Sequence, residues 1–157
     1  FPGAFDPITY GHLDVLIRAL PLADHIMIAI AEDSAKDTLF SMEERVDLVT
    51  EALASQKISG EKVSVTSFSG LLIQYAQTVS AHILIRGLRA VSDFEYEFQM
   101  ATMNRRLYPE LQTFFLMASE KFIFVNSTLI KEVISHHGDV SELVPPHVGK
   151  KLQEKLW

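Results

Sequence analysis

The sequence contains no cysteine among its 157 residues. Disulfide bonds, thiolate zinc sites and cysteine nucleophiles are therefore excluded. Basic residues are also scarce, because 14 Lys and Arg stand against 20 Asp and Glu, a formal net charge of -6. A nucleic-acid-binding surface is normally basic, so we expect no nucleic-acid partner. A few local cations could still hold a small anionic ligand.

Long apolar runs are absent as well. No stretch reaches the roughly 18 residues of a transmembrane helix, and no signal peptide is visible, so we expect a cytoplasmic protein with no membrane partner. Without repeats, low-complexity tracts or linkers, the sequence predicts a single domain over 1–157. Because the chain begins at Phe1, directly before a turn at Gly3, we expect the first strand to be truncated at its N-terminus.

The remaining segments alternate between strand and helix patterns. The nearly continuous apolar run 25–31 is typical of a strand covered on both faces, and the boxes at 41–44 and 92–95 are helix-capping sequences. Gly138 is predicted as the left-handed residue that ends a helix. The alternation predicts an α/β fold, a Rossmann-like open parallel sheet of five strands with helices on both faces.

The opening stretch is predicted to bind phosphate. Gly3 allows close approach to the backbone, and Thr9 can cap a helix whose first turn carries His12. Unpaired N–H groups and the helix dipole favour an anion there. An ordinary strand-to-helix connection with an incidental histidine is the alternative interpretation.

Three further loops are expected at the same sheet edge, because ligands bind at the carboxyl ends of parallel strands. Arg86 and Arg89 suit bidentate phosphate recognition, although a surface ion pair with Glu95 or Glu97 is the alternative. A lone loop lysine such as Lys36 is usually solvated, and 126–128 alone would be a plain helix cap. Lys36 and 126–128 become candidates for phosphate binding only because both are expected to lie at the same crevice as the opening turn.

Several motifs are missing. The sequence has no P-loop, its opening turn lacks the dinucleotide-binding glycine fingerprint, and no serine occupies a nucleophile elbow. His136-His137 has no third partner at ligand spacing, so no metal site is predicted. Phe94, Phe98 and the run Met100 to Met103 are interpreted as core or subunit-contact residues and not as a cofactor-binding motif. Cationic groups without an evident nucleophile favour phosphoryl or nucleotidyl transfer.

These motifs resemble a known family. Thr9-Tyr-Gly-His12 matches the T/H-x-G-H motif of the nucleotidyltransferase superfamily, and 125–128 takes the place of its second motif. The segments 2–12, 84–97, 103–105 and 129–133 are similar to bacterial phosphopantetheine adenylyltransferases. The similarity extends essentially from end to end and is most specific over 86–97. It implies the nucleotidyltransferase fold.

The resemblance implies transfer of AMP from ATP to 4'-phosphopantetheine, giving dephospho-coenzyme A and pyrophosphate in coenzyme A biosynthesis. Mg2+ would accompany ATP, with no metal ligand assigned in the protein. A homohexamer and inhibition by coenzyme A are further expectations. Carried over by position, the catalytic residues would be His12, Lys36 and Arg89, and the acceptor would be held by Ala4, Lys36, Leu72 and Arg86. ATP would be held by Ala4, Phe5, His12, Gly87, Leu88, Arg89, Glu97, Phe122, Ile123, Phe124, Val125, Asn126, Ser127 and Thr128.

Two departures from the family pattern stand out. Ala4 occupies a position where the family usually has Thr or Ser, and 122–128 replaces a more usual Trp-Ser-Phe-Ile-Ser-Ser-Ser. Loss of a hydrogen bond to a charged group costs roughly 1.5–3 kcal/mol. Ala4 is therefore expected to weaken binding of the acceptor phosphate or to slow the transfer. Two rival functions stay open. One is another superfamily member, such as a polyol-phosphate cytidylyltransferase or a nicotinamide-mononucleotide adenylyltransferase, although these generally carry His-x-Gly-His. The other is an inactive nucleotide- or coenzyme-A-binding module.

Overall fold

The fold is described here from a computed structural model, which covers residues 1–32, 37–89 and 91–157. Lys36 lies outside these ranges. The strands are β1 (Pro2–Gly3), β2 (Ile26–Ala31), β3 (Val63–Phe68), β4 (Ile83–Leu88) and β5 (Gln112–Met117). The α-helices are α1 (Tyr10–Ala19), α2 (Met42–Ser55), α3 (Leu72–Thr78), α4 (Val91–Leu107), α5 (Ser127–Ser135) and α6 (Pro146–Leu156). The alternation of strands and helices confirms the α/β class.

Every ladder between strands is parallel, as predicted, but the strands form two hydrogen-bonded sheets instead of one. β1, β2 and β3 pair in that order, and β4 pairs with β5. β1 contacts β4 through a side chain, since Arg86 Nη1 donates to the carbonyl oxygen of Pro2 at 2.9 Å. β1 has only two residues, and one of them is a proline without an N–H, so little backbone is left to pair with β4. The expected continuous five-stranded sheet is therefore interrupted between β1 and β4.

The helix starts follow the predicted capping chemistry. Thr9 caps α1, and its side chain accepts a hydrogen bond from the backbone N–H of His12. Ser41 and Glu44 form a reciprocal capping box at the start of α2. The other predicted box, 92–95, lies just inside α4, which already begins at Val91. Among the residues described, no helix is both long and apolar enough to cross a membrane.

The end of α5 corrects one prediction. The left-handed residue is His137, with φ of 60°, and not Gly138. The N–H of Gly138 closes the helix end by donating to the carbonyl of Val133 at 2.9 Å. A Cβ on Gly138 would lie 2.5 Å from Val133 Cγ1. Glycine is therefore needed here because of a close approach to the preceding helical turn.

The main core lies between the β1–β3 sheet and its flanking helices. Ile28 and Ile30 of β2 are almost fully buried, together with Leu16 of α1 and Val49 of α2. α1 also packs onto β4, where a Cβ on Gly87 would approach Val15 Cγ2 to 3.0 Å. Packing of α1 against β4 brings the first helix beside the second sheet and forms the cavity described next.

An apolar surface runs along α4 and the adjacent strand β5. Phe94 and Phe98 of α4 stack with ring centroids 5.8 Å apart, and both are about half exposed. Met103 and Leu107 are exposed on the same helix, as is Met117 of β5. The interpretation of 94–103 as core residues is therefore wrong for these exposed side chains. The subunit-contact alternative stays a prediction.

Candidate active site

A cavity of about 520 Å³ opens where the carboxyl ends of β1 and β4 meet the N-termini of α1 and α5. This is the crevice predicted from the order of the strands. Its lining residues are Phe1, Pro2, Gly3, Ala4, Thr9, Gly11, His12, Val15, Arg86, Gly87, Arg89, Asp93, Tyr96, Glu97, Ala118, Val125, Asn126, Ser127 and Thr128. We call it the central cavity.

The turn after β1 shapes one wall of the central cavity. Phe5 adopts a left-handed backbone conformation with φ of 48°, which is costly for a bulky residue. Its ring is buried, and a Cβ on Gly3 would lie 3.0 Å from Phe5 Cε2. Arg45, which is also buried, donates from Nη1 to the carbonyl oxygens of Ala4 and Ala31, each at 2.9 Å. The Phe5 ring, packed against Gly3, and the Arg45 guanidinium, bound to the Ala4 carbonyl, together fix the shape of the turn.

The His12 ring is held on two sides. Its Nδ1 lies 3.1 Å from the backbone nitrogen of Thr9 and 3.0 Å from Thr9 Oγ1. The Phe5 ring packs against it with centroids 5.1 Å apart. Burial lowers the pKa of His12 to about 4, and the positive charges of Arg89 and Arg86 act in the same direction. His12 is therefore neutral at physiological pH.

Arg86 crosses the gap between the two sheets. Its Nε donates to Glu97 Oε2 at 2.8 Å, and its Nη2 donates to Glu97 Oε1 at 2.5 Å. The third bond goes to the carbonyl oxygen of Pro2. Glu97 is the partner named in the ion-pair alternative. The ion pair exists, but it lies in the cavity wall and not on the open surface.

Arg89 directly follows the end of β4, three residues after Arg86. Its Nε donates to Asp93 Oδ2 at 2.9 Å, and its Nη1 donates to the carbonyl oxygen of Val125 at 3.1 Å. Both cavity arginines thus have a carboxylate partner from α4. An incoming phosphate would have to share or replace these carboxylates.

The N-terminus of α5 lies at the cavity, just after Val125, whose carbonyl oxygen binds Arg89. Asn126 caps the helix through Oδ1, which accepts from the N–H of Leu129 at 2.8 Å. Ser127 Oγ donates to the carbonyl oxygen of Pro7 at 2.8 Å, which links α5 to the opening turn. The N-termini of α1 and α5 therefore both lie at the central cavity, and each favours an anion there.

Asp6 connects this turn to two distant segments. Its carboxylate accepts from the N–H groups of Leu39 and Phe40 at 3.0 and 2.9 Å and from Lys131 Nζ of α5 at 2.5 Å. Asp6 is only 5 % exposed. It fixes the chain just after the segment that contains Lys36, whose own position lies outside the described residues.

The structure brings together most of the predicted site residues that it describes. Those lining the central cavity are Ala4, His12, Arg86, Gly87, Arg89, Glu97, Val125, Asn126, Ser127 and Thr128. Leu72 instead lines a second cavity, between α3, β2 and β4. The side chains of Phe5 and Leu88 are buried in the interior. Phe122, Ile123 and Phe124 are not among the lining residues, and Phe122 packs against Tyr10 with ring centroids 6.3 Å apart.

Sequence reasoning missed several lining residues. Asp93 and Tyr96 were not predicted, although Arg89, Asp93 and Glu97 recur at intervals of four, the spacing of one helical face. Thr9 was recognised only as a helix cap and a motif residue. Its direct contact with His12 Nδ1 follows from the histidine being the third residue of the helix, as in a capping box.

The carboxylates of the cavity do not form a metal cage. Among the described residues, no group of three His, Asp or Glu side chains could together hold a metal ion. Asp93 and Glu97, the acidic residues of the cavity, are bound to arginines.

Comparison with known proteins identifies the family. A family model described as cytidylyltransferase-like matches residues 1–133. A phosphopantetheine adenylyltransferase of Hamiltonella defensa subsp. Acyrthosiphon pisum is 53% identical over 152 residues, covering 97% of this chain and 95% of that protein. The chain belongs to the phosphopantetheine adenylyltransferase family. Another protein of that name, from Desulfosudis oleivorans, is 50% identical over 156 residues, or 99% of this chain and 90% of the other.

Solved structures of other nucleotidyltransferases share the fold of this family member. A bifunctional NMN adenylyltransferase/ADP ribose pyrophosphatase from Francisella tularensis matches with a TM-score of 0.72 at 17% identity, over 98% of this chain and 48% of that one. A Plasmodium falciparum nicotinic acid mononucleotide adenylyltransferase, complexed with NaAD, matches with a TM-score of 0.69 at 14% identity over 98% and 92% of the two chains. At such identities these likenesses support the fold alone.

Proposed function

We propose that this chain transfers AMP from ATP to 4'-phosphopantetheine, producing dephospho-coenzyme A and pyrophosphate. The observation that carries the proposal is the convergence of His12, Arg86, Arg89 and two helix N-termini on one cavity. Such groups stabilise phosphoryl charge without supplying a nucleophile. Relatives about half identical over nearly the whole chain are named for this reaction.

The proposed chemistry is a single in-line displacement. A phosphate oxygen of the acceptor attacks the α-phosphorus of ATP, the new P–O bond forms, and the bond to the β-phosphate bridge breaks. The attacking group is already an anion, so no protein base is required. His12 and Arg89 would stabilise the charge that grows on the α-phosphate and the departing pyrophosphate. Lys36 is proposed to assist them.

We propose positions for the two substrates along the walls of the central cavity. Ala4 and Arg86 lie on the β1–β4 side and are proposed to hold the acceptor phosphate, together with Lys36. Gly87, Arg89, Glu97 and the start of α5 are proposed to hold ATP. The backbone of Phe5 and Leu88, and the segment 122–124, are proposed to complete the ATP site. Leu72 is proposed to contact the pantetheine arm.

Mg2+ would be bound together with ATP, as part of the nucleotide substrate. When bound, it would neutralise part of the charge on the nucleotide phosphates. The protein contribution described here comes from His12, the arginines and the two helix N-termini.

The direct test is product analysis. The purified chain, incubated with ATP, Mg2+ and 4'-phosphopantetheine, should form dephospho-coenzyme A, detected by mass spectrometry. Pantetheine lacking the phosphate is the matched control and should give no product. His12→Ala should lower turnover by orders of magnitude while leaving ATP binding largely intact. Near-normal turnover of this variant would remove His12 from its proposed role.

Two further arms test the rival functions. ATP with nicotinamide mononucleotide as the acceptor should give no product. CTP with a polyol phosphate as the acceptor should also give none. Ala4 is the one residue that favours an inactive coenzyme-A-binding module. Coenzyme A binding without formation of dephospho-coenzyme A would support that alternative. An active enzyme should instead be inhibited competitively by coenzyme A.

We also propose self-association through the exposed apolar surface of α4 and β5, with a hexamer as the assembly that the resemblance implies. Phe94 and Phe98 stack on each other while both stay about half exposed, and Met117 of β5 is exposed as well. Large apolar side chains exposed on neighbouring elements favour a protein contact. Phe98→Glu should shift the mass measured by light scattering toward the monomer. Leu22→Glu is the matched control, since Leu22 is similarly exposed but belongs to neither α4 nor β5. A monomeric unmodified chain would refute self-association.

A further inference from the structure

Thr9 and His12 form a reciprocal pair that does more than begin a helix. The N–H of His12 donates to Thr9 Oγ1 at 3.3 Å, while the backbone nitrogen of Thr9 lies 3.1 Å from His12 Nδ1. Thr9 Oγ1 itself lies 3.0 Å from the same ring nitrogen. In an ordinary capping box, the third helical residue is Glu or Gln. Here that position carries an imidazole that lines the central cavity.

The donor and acceptor roles in this pair are determined by the backbone. A backbone N–H can only donate, so Nδ1 of His12 must accept from Thr9. The Thr9 hydroxyl accepts from the N–H of His12 and has its own hydrogen left to donate to Nδ1. A proton on Nδ1 would face the N–H of Thr9 and would break this arrangement. The neutral ring must therefore carry its proton on Nε2, the nitrogen directed away from Thr9.

We propose that Thr9 is a positioning residue that holds His12 in the tautomer protonated at Nε2, so that His12 donates a neutral hydrogen bond to the transferring phosphoryl group. This inference rests on the proposed adenylyl transfer for its catalytic meaning. It assigns His12 the role of a donor, not of a base or a cation. The reaction needs no proton transfer at the attacking oxygen, which is already ionised.

The surroundings of His12 agree with a neutral ring. Arg86 and Arg89 oppose a positive charge on the imidazole, while Glu97 and Asp93 are already paired with these arginines. Phe5 packs on the ring and offers no hydrogen bond. Burial holds the pKa at about 4, so the neutral ring dominates at neutral pH. A neutral imidazole can carry its proton on Nδ1 or on Nε2, and Thr9 selects the Nε2 form.

The tautomer can be measured on the free protein. Long-range ¹H–¹⁵N spectra at pH 7 should show His12 with Nε2 protonated and Nδ1 unprotonated. Thr9→Val keeps the backbone N–H but removes the hydroxyl, which both caps the helix and is the second partner of Nδ1. With that anchor gone, the ring can turn away from the Thr9 N–H, and a mixture of tautomers should appear. Turnover should then fall about tenfold or more, with the KM for ATP changed less than twofold. Thr9→Ser retains the hydroxyl and should restore both the spectrum and turnover.

A matched control separates tautomer selection from helix capping. Ser41 caps α2 through the same reciprocal geometry, away from the residues that line the cavity. Ser41→Val should lower the melting temperature about as much as Thr9→Val but leave the His12 spectrum and turnover unchanged. Protonation at Nδ1 in the unmodified protein, or an unchanged His12 spectrum in Thr9→Val, would overturn the proposal.

The two levels of failure are distinguishable. Absence of dephospho-coenzyme A in the product assay, with the Nε2 tautomer observed, would refute the proposed function and not the role of Thr9. Product formation with the opposite tautomer would refute the role of Thr9 alone.

Discussion

Arg86 bonds to both carboxylate oxygens of Glu97 while also binding the carbonyl oxygen of Pro2. One guanidinium therefore connects β4, α4 and β1 at the wall of the cavity. Glu97 is only 9% exposed, and Arg86 is the cation paired with its carboxylate. Arg86 has a structural role in addition to its proposed role in substrate binding.

Removing Arg86 alone should be more damaging than removing the pair. Arg86→Met leaves a buried, unpaired carboxylate and should lower the free energy of unfolding by about 3 kcal/mol. The double variant Arg86→Met, Glu97→Gln should recover at least half of that loss in urea denaturation. Its turnover should stay low because the phosphate-binding cation is still missing. Additive losses in the double variant would contradict the coupling between the two residues.

The contact of Gly87 with Val15 gives a second paired test. Gly87→Ala forces a methyl group to within 3.0 Å of Val15 Cγ2 and should cost about 1–3 kcal/mol of unfolding free energy. Val15→Ala removes the opposing methyl groups, so Gly87→Ala should cost much less in that background. A thermodynamic cycle from thermal or urea denaturation measures the difference. An equal cost in both backgrounds would show that Val15 is not the obstacle.

Ala4 offers a gain-of-function test. Ala4 lines the cavity, and its carbonyl is fixed by Arg45, so a hydroxyl placed there would face the proposed acceptor phosphate. Ala4→Thr should lower the KM for 4'-phosphopantetheine by about tenfold, the equivalent of about 1.4 kcal/mol. Ala4→Val adds similar bulk without the hydroxyl and should give no improvement. Equal kinetics for Ala4→Thr and the unmodified chain would place the acceptor phosphate elsewhere.

The partly buried, neutral His12 should make stability depend on pH in a defined direction. Its pKa is about 4 when folded and 6.5 when unfolded, so the unfolded state binds the proton more tightly. The free energy of unfolding should therefore fall as the pH is lowered from 6.5 to about 4. The shift corresponds to a loss on the order of 3 kcal/mol.

His12→Gln provides the comparison, because it cannot titrate while all other groups remain. The unmodified chain should lose on the order of 3 kcal/mol of unfolding free energy relative to this variant between pH 7 and pH 4. Parallel curves over this range would contradict the assigned ionisation.

The parts of the structure that the sequence predicted well depend on local pattern. Strand and helix alternation, the capping residues Thr9 and Ser41, and the placement of site segments after strands all follow from short-range rules. The convergence on one cavity then follows from the geometry of parallel sheets. Arg86, Arg89 and 126–128 were predicted to meet, and they line the same cavity.

The unpredicted parts depend on tertiary contacts. The left-handed conformation of Phe5 depends on a turn whose shape no local signal indicates. Gly138 was assigned a positive φ because glycine commonly ends helices, whereas its closeness to Val133 is the real constraint. The interruption between β1 and β4 is bridged by the Arg86 side chain, which donates to the carbonyl oxygen of Pro2. Such contacts join residues that are far apart in sequence.

Asp6 also has a consequence for the order of folding. Its carboxylate joins partners 33, 34 and 125 positions away along the chain. Closing loops of such length costs conformational entropy before the contacts repay it, so they form late on a folding pathway. The turn that carries Ala4 and Phe5 would then gain its final shape only when nearly the whole chain is in place. A partly folded chain would contain the helices and strands of this protein without its cavity, and ligand binding would select the fully folded molecule.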